Sequence, residues 1–359
     1  MDLSWLAEQL GDAGTATLGG LVVGLAFGVF AQRSQFCLRS ATIEFWRGSL
    51  GPKTAIWLLT FATALIGTQV LFAAELLDQS TVRQLTTVGT LSGAVLGGLM
   101  FGAGMILARG CASRLLVLSA TGNLRALITG LIVTLVAQAS LRGALSPVRL
   151  HLSSYWLVEP ETRNLLGQLP DYAGLMLGIA ILVVATALAW RQLAPGPCLT
   201  AIGVGAAVVA GWWFNATLSG QAFDIVPVQS ISFTGPSTDT LMALVDHPEP
   251  KLSFGLGLVP GVFIGSLLAA SVAGEFRLQS FGADAPMPRY ILGACLMGFG
   301  SMLAGGCAVG AGVSGGAVMA LTAWIALTAM WLAAGVTDLF VDNRAALAMY
   351  GKGASSGNW

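Results

Sequence analysis

Read for its apolar and polar positions, the chain is a succession of long apolar stretches separated by short polar ones. A helix crossing a hydrocarbon core of ~30 Å needs ~20 residues at about 1.5 Å rise each. Nine stretches qualify, at residues 17–31, 55–77, 89–108, 124–141, 172–190, 198–214, 254–274, 289–304 and 317–340. The pattern predicts an all-α polytopic membrane protein of about nine transmembrane helices. Composition agrees: of 359 residues 55% are hydrophobic and 9% charged, with a mean hydropathy of +0.78, which excludes a soluble enzyme. The N-terminal MDLSWLAEQLGDAG has no basic run before an apolar core, so no cleavable signal peptide is expected and the first span should stay in the bilayer.

Formal net charge is zero, with 17 basic and 17 acidic residues, so nucleic acid is not an indicated partner. Where the basic residues fall is more informative. Twelve, from Arg33 to Lys352, lie on one side of the predicted topology, and five (Arg83, Arg142, Arg149, Arg163 and Lys251) lie on the other. The positive-inside bias then places the N-terminus outside and the C-terminus in the cytoplasm.

Comparing the chain with itself reveals a duplication. LGGLMFGAGMILARGCA, from Leu96 to Ala112, aligns without gaps to LGACLMGFGSMLAGGCA, from Leu292 to Ala308, with nine identities in seventeen positions and an offset of 196 residues. The copies fall in the third and eighth spans and so enter the membrane from opposite sides, which predicts inverted repeats split as 1–170 and 171–359. Both copies end in residues an apolar helix avoids, ARGCASR and AGGCAVGAGVSGG. Helices should break there, and non-helical backbone at membrane depth is tolerated only where protein buries it or it lines a cavity. Half-helix ends turned inward expose N–H groups that suit an anion. Glycines 305, 306, 310, 312, 315 and 316 would let backbone approach it closely, whereas isolated helix glycines read as packing residues.

Five cysteines are present, with no CxxC pair or zinc-like spacing, so neither a metal nor another cofactor is indicated. Cys198 and Cys295 read as small hydrophobes, Cys295 aligning with Leu99. Cys37, Cys111 and Cys307 instead sit at helix breaks, in QRSQFCLRS, ARGCASR and AGGCAVG. A neutral thiol donates a weak hydrogen bond and offers soft sulfur, so three of them form a plausible relay for a sulfur-bearing anion. Supporting candidates are Gly110, Gly306, Gly310, Ser113 and Asn215, with Arg39 and Arg109 as cations that draw an anion inward or merely snorkel. Ser34, Gln35 and Ser314 are further neutral donors, and Arg114 a further cation. Glu44 and Asp224 read as satisfied interfacial carboxylates, and His151 and His247 as residues of exposed loops. The segment 212–244 is polar for its depth and is a candidate lining for an outer vestibule.

At these residues the chain resembles the YeeE/YedE family of bacterial inner-membrane proteins over nearly its whole length. The resemblance rests on Phe36–Cys37, on Gly110–Cys111 followed by SATGNLRAL, and on Gly306–Cys307 followed by GAGVSGG. It implies an hourglass of pseudo-symmetric halves, thiosulfate as substrate, and Cys37, Cys111 and Cys307 as the thiols that pass it. It also implies a small cytoplasmic TusA-like sulfurtransferase as partner, none being fused after GKGASSGNW. Many relatives carry a Thr-Ser-Gly-His-Gly type sequence after the first Gly-Cys, where this chain has Ala112, Ser113, Arg114, Leu115 and Leu116. No GxxxxGK[ST] loop appears, so ATP is not the expected energy source. The expected function is a membrane transporter or channel for thiosulfate or a similar sulfur anion. The alternatives are a persulfide-handling membrane subunit beside a cytoplasmic sulfurtransferase, and a purely structural partner of a sulfur enzyme.

Overall fold

The computed structural model describes residues 3–170, 172–224, 226–245, 252–279 and 287–343. His247, Lys251, Arg344 and Lys352 lie outside these residues. The helices run in chain order α1 (Ser4–Ser34), α2 (Leu38–Trp46), α3 (Pro52–Ala73), α4 (Arg83–Thr86), α5 (Leu91–Leu107), α6 (Ala112–Ala120), α7 (Leu124–Arg142), α8 (Ser146–Ser153) and α9 (Pro160–Arg163). They continue as α10 (Ala173–Gln192), α11 (Pro195–Gln221), α12 (Thr234–Val245), α13 (Phe254–Val272) and α14 (Met287–Leu303). A π-helical turn (Ala308–Ser314), the short α15 (Gly315–Ala317) and α16 (Leu321–Asp338) follow. Among the described residues eight helical stretches are long and apolar enough to cross a bilayer, and α14 makes a ninth together with the segment beyond its 41° bend. Two-residue strands β1 (Gly89–Thr90) and β2 (Leu157–Val158) pair antiparallel.

Capping residues set the helix starts. Thr90 accepts from the Gly93 amide at 2.9 Å to open α5, Asn123 from the Ala126 amide at 3.0 Å to open α7, and Pro52 sits in the first turn of α3. The first helix begins thirteen positions earlier than the apolar run at 17–31 predicts, because the polar lead-in is tied down. The Leu3 amide bonds Gln221 Oε1 at 2.8 Å, Thr15 bonds the Gly11 carbonyl, and the kink this allows sits at Gly11 (φ 72°). The sixth span reaches Gln221 and not 214, since Asn215 and Thr217 donate their side-chain N–H and O–H to the carbonyls of Gly211 and Trp213 one turn back. His151 lies on α8 and not in a loop, exposed and hydrogen-bonded to the Tyr155 hydroxyl at 2.7 Å.

Glycine packing fixes how the long helices run against each other. Helices α1 and α13 lie parallel: Gly20, Gly24 and Gly28 rest on the carbonyls of Phe254, Leu258 and Val262, and Gly257, Gly261 and Gly265 on those of Thr17, Leu21 and Leu25. A Cβ added at Gly24 or at Gly261 would stand 2.4 Å from the facing carbonyl oxygen, so only hydrogen fits. The same kind of contact sets α3 parallel to α11 (Gly205 on Thr60), α5 parallel to α16 (Gly102 on Met330) and α7 parallel to α14 (Gly298 on Val133). It also sets α5 antiparallel to α14, with Gly97 on Gly300 and Gly104 on Gly293.

The long helices therefore alternate in direction, and each break falls toward one of two ends. Toward one end lie α2, the α6–α7 turn and the end of α16, where Arg47 grips the fully buried Asp338 through two 2.9 Å bonds. There too Arg39 and Arg289 share Asp342 at 3.5 and 2.7 Å. Toward the other end lie α4, α9 and residues 226–233. Here Arg163 spans Thr87 and Thr322, and Val82 bridges to Val228. Substituting Gly24→Val or Gly261→Val should cost about 1–3 kcal/mol, because overpacking would force α1 and α13 apart. Thermal unfolding in detergent should show a fall in midpoint for both, and no comparable fall for Gly220→Ala, whose Cβ meets no atom within 4 Å.

Candidate functional site

One kind of helix stop recurs along the chain, also at Gly48, Glu75, Gly122, Gly274 and Met319, and at three places it is followed by a cysteine. At these three the helix ends on a residue in the left-handed conformation, Gln35 (φ 54°), Arg109 (φ 55°) and Gly305 (φ 79°). The following amide then reaches back five residues, Phe36 to Ala31 at 3.3 Å, Gly110 to Met105 at 3.1 Å and Gly306 to Ser301 at 2.8 Å. This is the Schellman stop, which satisfies carbonyls that would otherwise be orphaned inside the bundle. The next residue is cysteine in extended backbone, and it serves as the N-cap of a short new helix: Cys37 for α2, Cys111 for α6, Cys307 for the π-helical turn. Arg109 occupies the left-handed position that Gly305 fills in the aligned copy, so that pair of aligned residues is linked by backbone conformation.

All three thiols are buried, at 6%, 1% and 1% exposure. Cys37 and Cys111 are neighbours whose side chains interact, with Arg39 and Arg114 close enough to Cys37 for their charges to be felt. The Cys111 thiol also contacts the Ser113 hydroxyl at 3.3 Å, and the Cys307 sulfur accepts from the Gly310 amide at 3.4 Å. Helix α6 touches the π-helical turn, so the Cys111 break and the Cys307 break abut from opposite ends of the bundle. The remaining candidates sort by contact. Gly110 and Gly306 are the buried residues between the left-handed position and the cysteine, and Gly310 lies under Ser232. Asn215 donates to Gly211 and Gln229 and so braces a neighbouring segment. Arg39 is drawn to Asp342, while Arg109 is exposed. Ser34 bonds Phe30, Glu44 caps α3 through Thr54, and Asp224 is exposed. Among the described residues no three His, Cys, Asp or Glu side chains gather as a metal site.

The stretch 226–233 reaches the site from inside the polar segment noted in the sequence. Its backbone is fixed at Val228 by Val82, at Gln229 by Asn215, and at Ile231 by the Ser314 hydroxyl at 2.7 Å, while Ser230 donates to Val208 at 2.6 Å. The Gln84 amide holds the Gly310 carbonyl at 3.2 Å from the same end. Neither Gln84 nor Ser232 stands out by residue type. The 196-residue offset carries Phe36 onto Ser232 and Cys37 onto Phe233, which sets this stretch against the first break without singling out Ser232 or Gln84.

With this geometry in view, a family profile described as sulphur transport matches residues 33–336, from just before the first break to the last long helix. The chain belongs to the sulphur transport family. It is 27% identical over 339 residues to the thiosulfate transporter TsuA of Escherichia coli (strain K12), covering 88% of this chain and 92% of that protein. It is 29% identical over 332 residues to the protein of the same name in Spirochaeta thermophila, covering 86% and 93% respectively. The family's matched region contains all three breaks. If the left-handed stop matters to the site, Gly305→Val should destabilise the protein by about 1–2 kcal/mol, the usual cost of that conformation for a residue with a Cβ. Arg109→Gly should leave the midpoint equal or higher, and thermal unfolding of both variants in detergent checks this.

Proposed function

We propose that this protein carries thiosulfate across a bacterial inner membrane, along a path bounded by Cys37 and Cys111 toward one end and by Cys307 and residues 226–233 toward the other. The observation that carries the reading is the thrice-repeated stop that buries a thiol at the head of a short helix. The two relatives named as thiosulfate transporters, matched over most of both chains, support the choice of anion. Thiosulfate offers only hydrogen-bond acceptors. Neutral thiols and hydroxyls hold such a dianion weakly and at several places, and conduction requires sites that bind well enough to enter and loosely enough to leave.

The same reading takes residues 1–170 and 171–359 as inverted halves of an hourglass. Adding 196 to Gly97 and Gly104 gives Gly293 and Gly300, so the contacts Gly97–Gly300 and Gly104–Gly293 exchange with each other. The contact of Gly102 with Met330 has its counterpart, one residue out of register, in that of Gly298 with Val133. Such exchange is what a two-fold axis in the membrane plane produces. The Cys37 end carries most of the basic residues and is taken as cytoplasmic, with the N-terminus outside and a TusA-like sulfurtransferase as the receiving partner. The entry end is then the one with Arg83 and Arg163. These two guanidiniums stand near each other, and burial followed by Arg83 brings Arg163 down to about 10, still charged at neutral pH. Two cations at a mouth raise the local concentration of an anion.

Uptake of labelled thiosulfate into cells lacking other importers tests the path. Cys37→Ala, Cys111→Ala and Cys307→Ala, at matched membrane expression, should each lower the rate by roughly tenfold or more, the scale of one lost hydrogen bond to a charged group. Unchanged uptake in all three would reject the thiol path. For the mouth, Arg83→Gln should raise the half-saturating concentration roughly threefold at low ionic strength, and salt near ~0.5 M should erase the difference by screening. An effect independent of salt would assign Arg83 a structural role instead.

A further inference from the structure

The segment 226–233 is held at almost every residue near its tip except one. Val228, Gln229, Ser230 and Ile231 are each tied by a backbone or side-chain hydrogen bond to a neighbouring element. The hydroxyl of Ser232, the next residue, makes no hydrogen bond among the described residues, and Ser232 is only partly buried while Ile231 and Phe233 on either side are fully so. A partly buried hydroxyl without a hydrogen-bond partner among the described residues is thus held in place by a backbone fixed at its neighbours. What it faces is the Cys307 break: a Cβ built on Gly310 would stand 2.3 Å from Ser232 Oγ, and the Gly310 amide is the one that donates to the Cys307 sulfur. Gln84 fixes Gly310 from the other side through its carbonyl.

We propose that Ser232 is a fourth hydrogen-bonding station of the pathway, donating its hydroxyl to the sulfur oxyanion beside Cys307 and setting affinity at the α4 end. The inference rests on the thiosulfate reading above. A hydroxyl is a stronger donor than a thiol and, like it, is neutral, so the station holds the anion without trapping it. The lack of a Cβ at Gly310 leaves the hydroxyl room at this point.

Concentration dependence of thiosulfate uptake is the test, with Ser232→Ala, Ser232→Thr and Cys307→Ala compared with the unmodified protein at matched membrane expression. Ser232→Ala should raise the half-saturating concentration roughly tenfold, the scale of a hydrogen bond to a charged acceptor, with a smaller change in maximal rate. Ser232→Thr, which keeps the hydroxyl, should bring it back to within about threefold of the unmodified protein. An Ala variant with an unchanged half-saturating concentration, beside an impaired Cys307→Ala, overturns the station while leaving the cysteine path standing. A loss that Thr does not restore also overturns it, since that is the behaviour of a packing residue. Uptake indifferent to Cys307→Ala removes Cys307 from the path and overturns the station beside it, whereas uptake absent from the unmodified protein overturns the thiosulfate reading and the station with it.

Discussion

A peptide group inside a hydrocarbon layer has no water to turn to, and everything distinctive in this protein follows from that constraint. A helix that stops in the bilayer leaves carbonyls and amides that cost several kcal/mol each unless the protein itself receives them. The chain meets the constraint three times with one solution: a left-handed residue, an amide bonded back five residues, and a cysteine that opens a new short helix. The stop disposes of carbonyls from the old helix. What it leaves at the turn is a small, neutral, polarizable side chain surrounded by backbone already satisfied, and that is a suitable contact for an anion which must not be held too firmly.

Breaks of this kind need walls, and the walls are made by close approach and not by bulk. Lipid tails are as apolar as leucine, so helices in a bilayer gain little by hiding hydrophobic surface from it, and packing must come from contact between backbones. Reciprocal glycine rows on α1 and α13, repeated in kind at α3–α11, α5–α16 and α7–α14, supply it. The antiparallel crossing of α5 and α14 through Gly97, Gly104, Gly293 and Gly300 lies just ahead of two of the breaks, so the position of Cys111 and Cys307 depends on how closely those helices meet. At the α2 end charge takes over. Asp338 and Asp342 bind Arg47, Arg39 and Arg289, which ties the helix after Cys37 to the first turn of α14 and the end of α16.

Much of this is legible in the sequence. The nine apolar stretches correspond to the nine long helices, because span length is dictated by the bilayer and read directly from residue type. The breaks beside Cys111 and Cys307 were visible as glycine, arginine and cysteine in runs that should have stayed apolar. The ends of α1 and α11 were not, since Thr15, Asn215 and Thr217 look like loop residues until their side chains are seen bonded within their own helices. The partnership of Arg39 with Asp342 joins residues some 300 positions apart and leaves no local trace. Ser232 and Gln84 were hidden for another reason: serine and glutamine are unremarkable in sequence, and only their neighbours around Gly310 give them a part.

The central claim is that the anion passes among the buried thiols, and the most direct measurement of it is anomalous diffraction from crystals grown with selenosulfate, whose terminal selenium marks the ligand. The account predicts a selenium peak enclosed by the breaks, within about 3.5–4 Å of the sulfur of Cys37, Cys111 or Cys307, the reach of a hydrogen bond involving so large an atom. A peak seated elsewhere with the thiols untouched, or a lattice-wide absence of selenium at concentrations that saturate uptake, would contradict it.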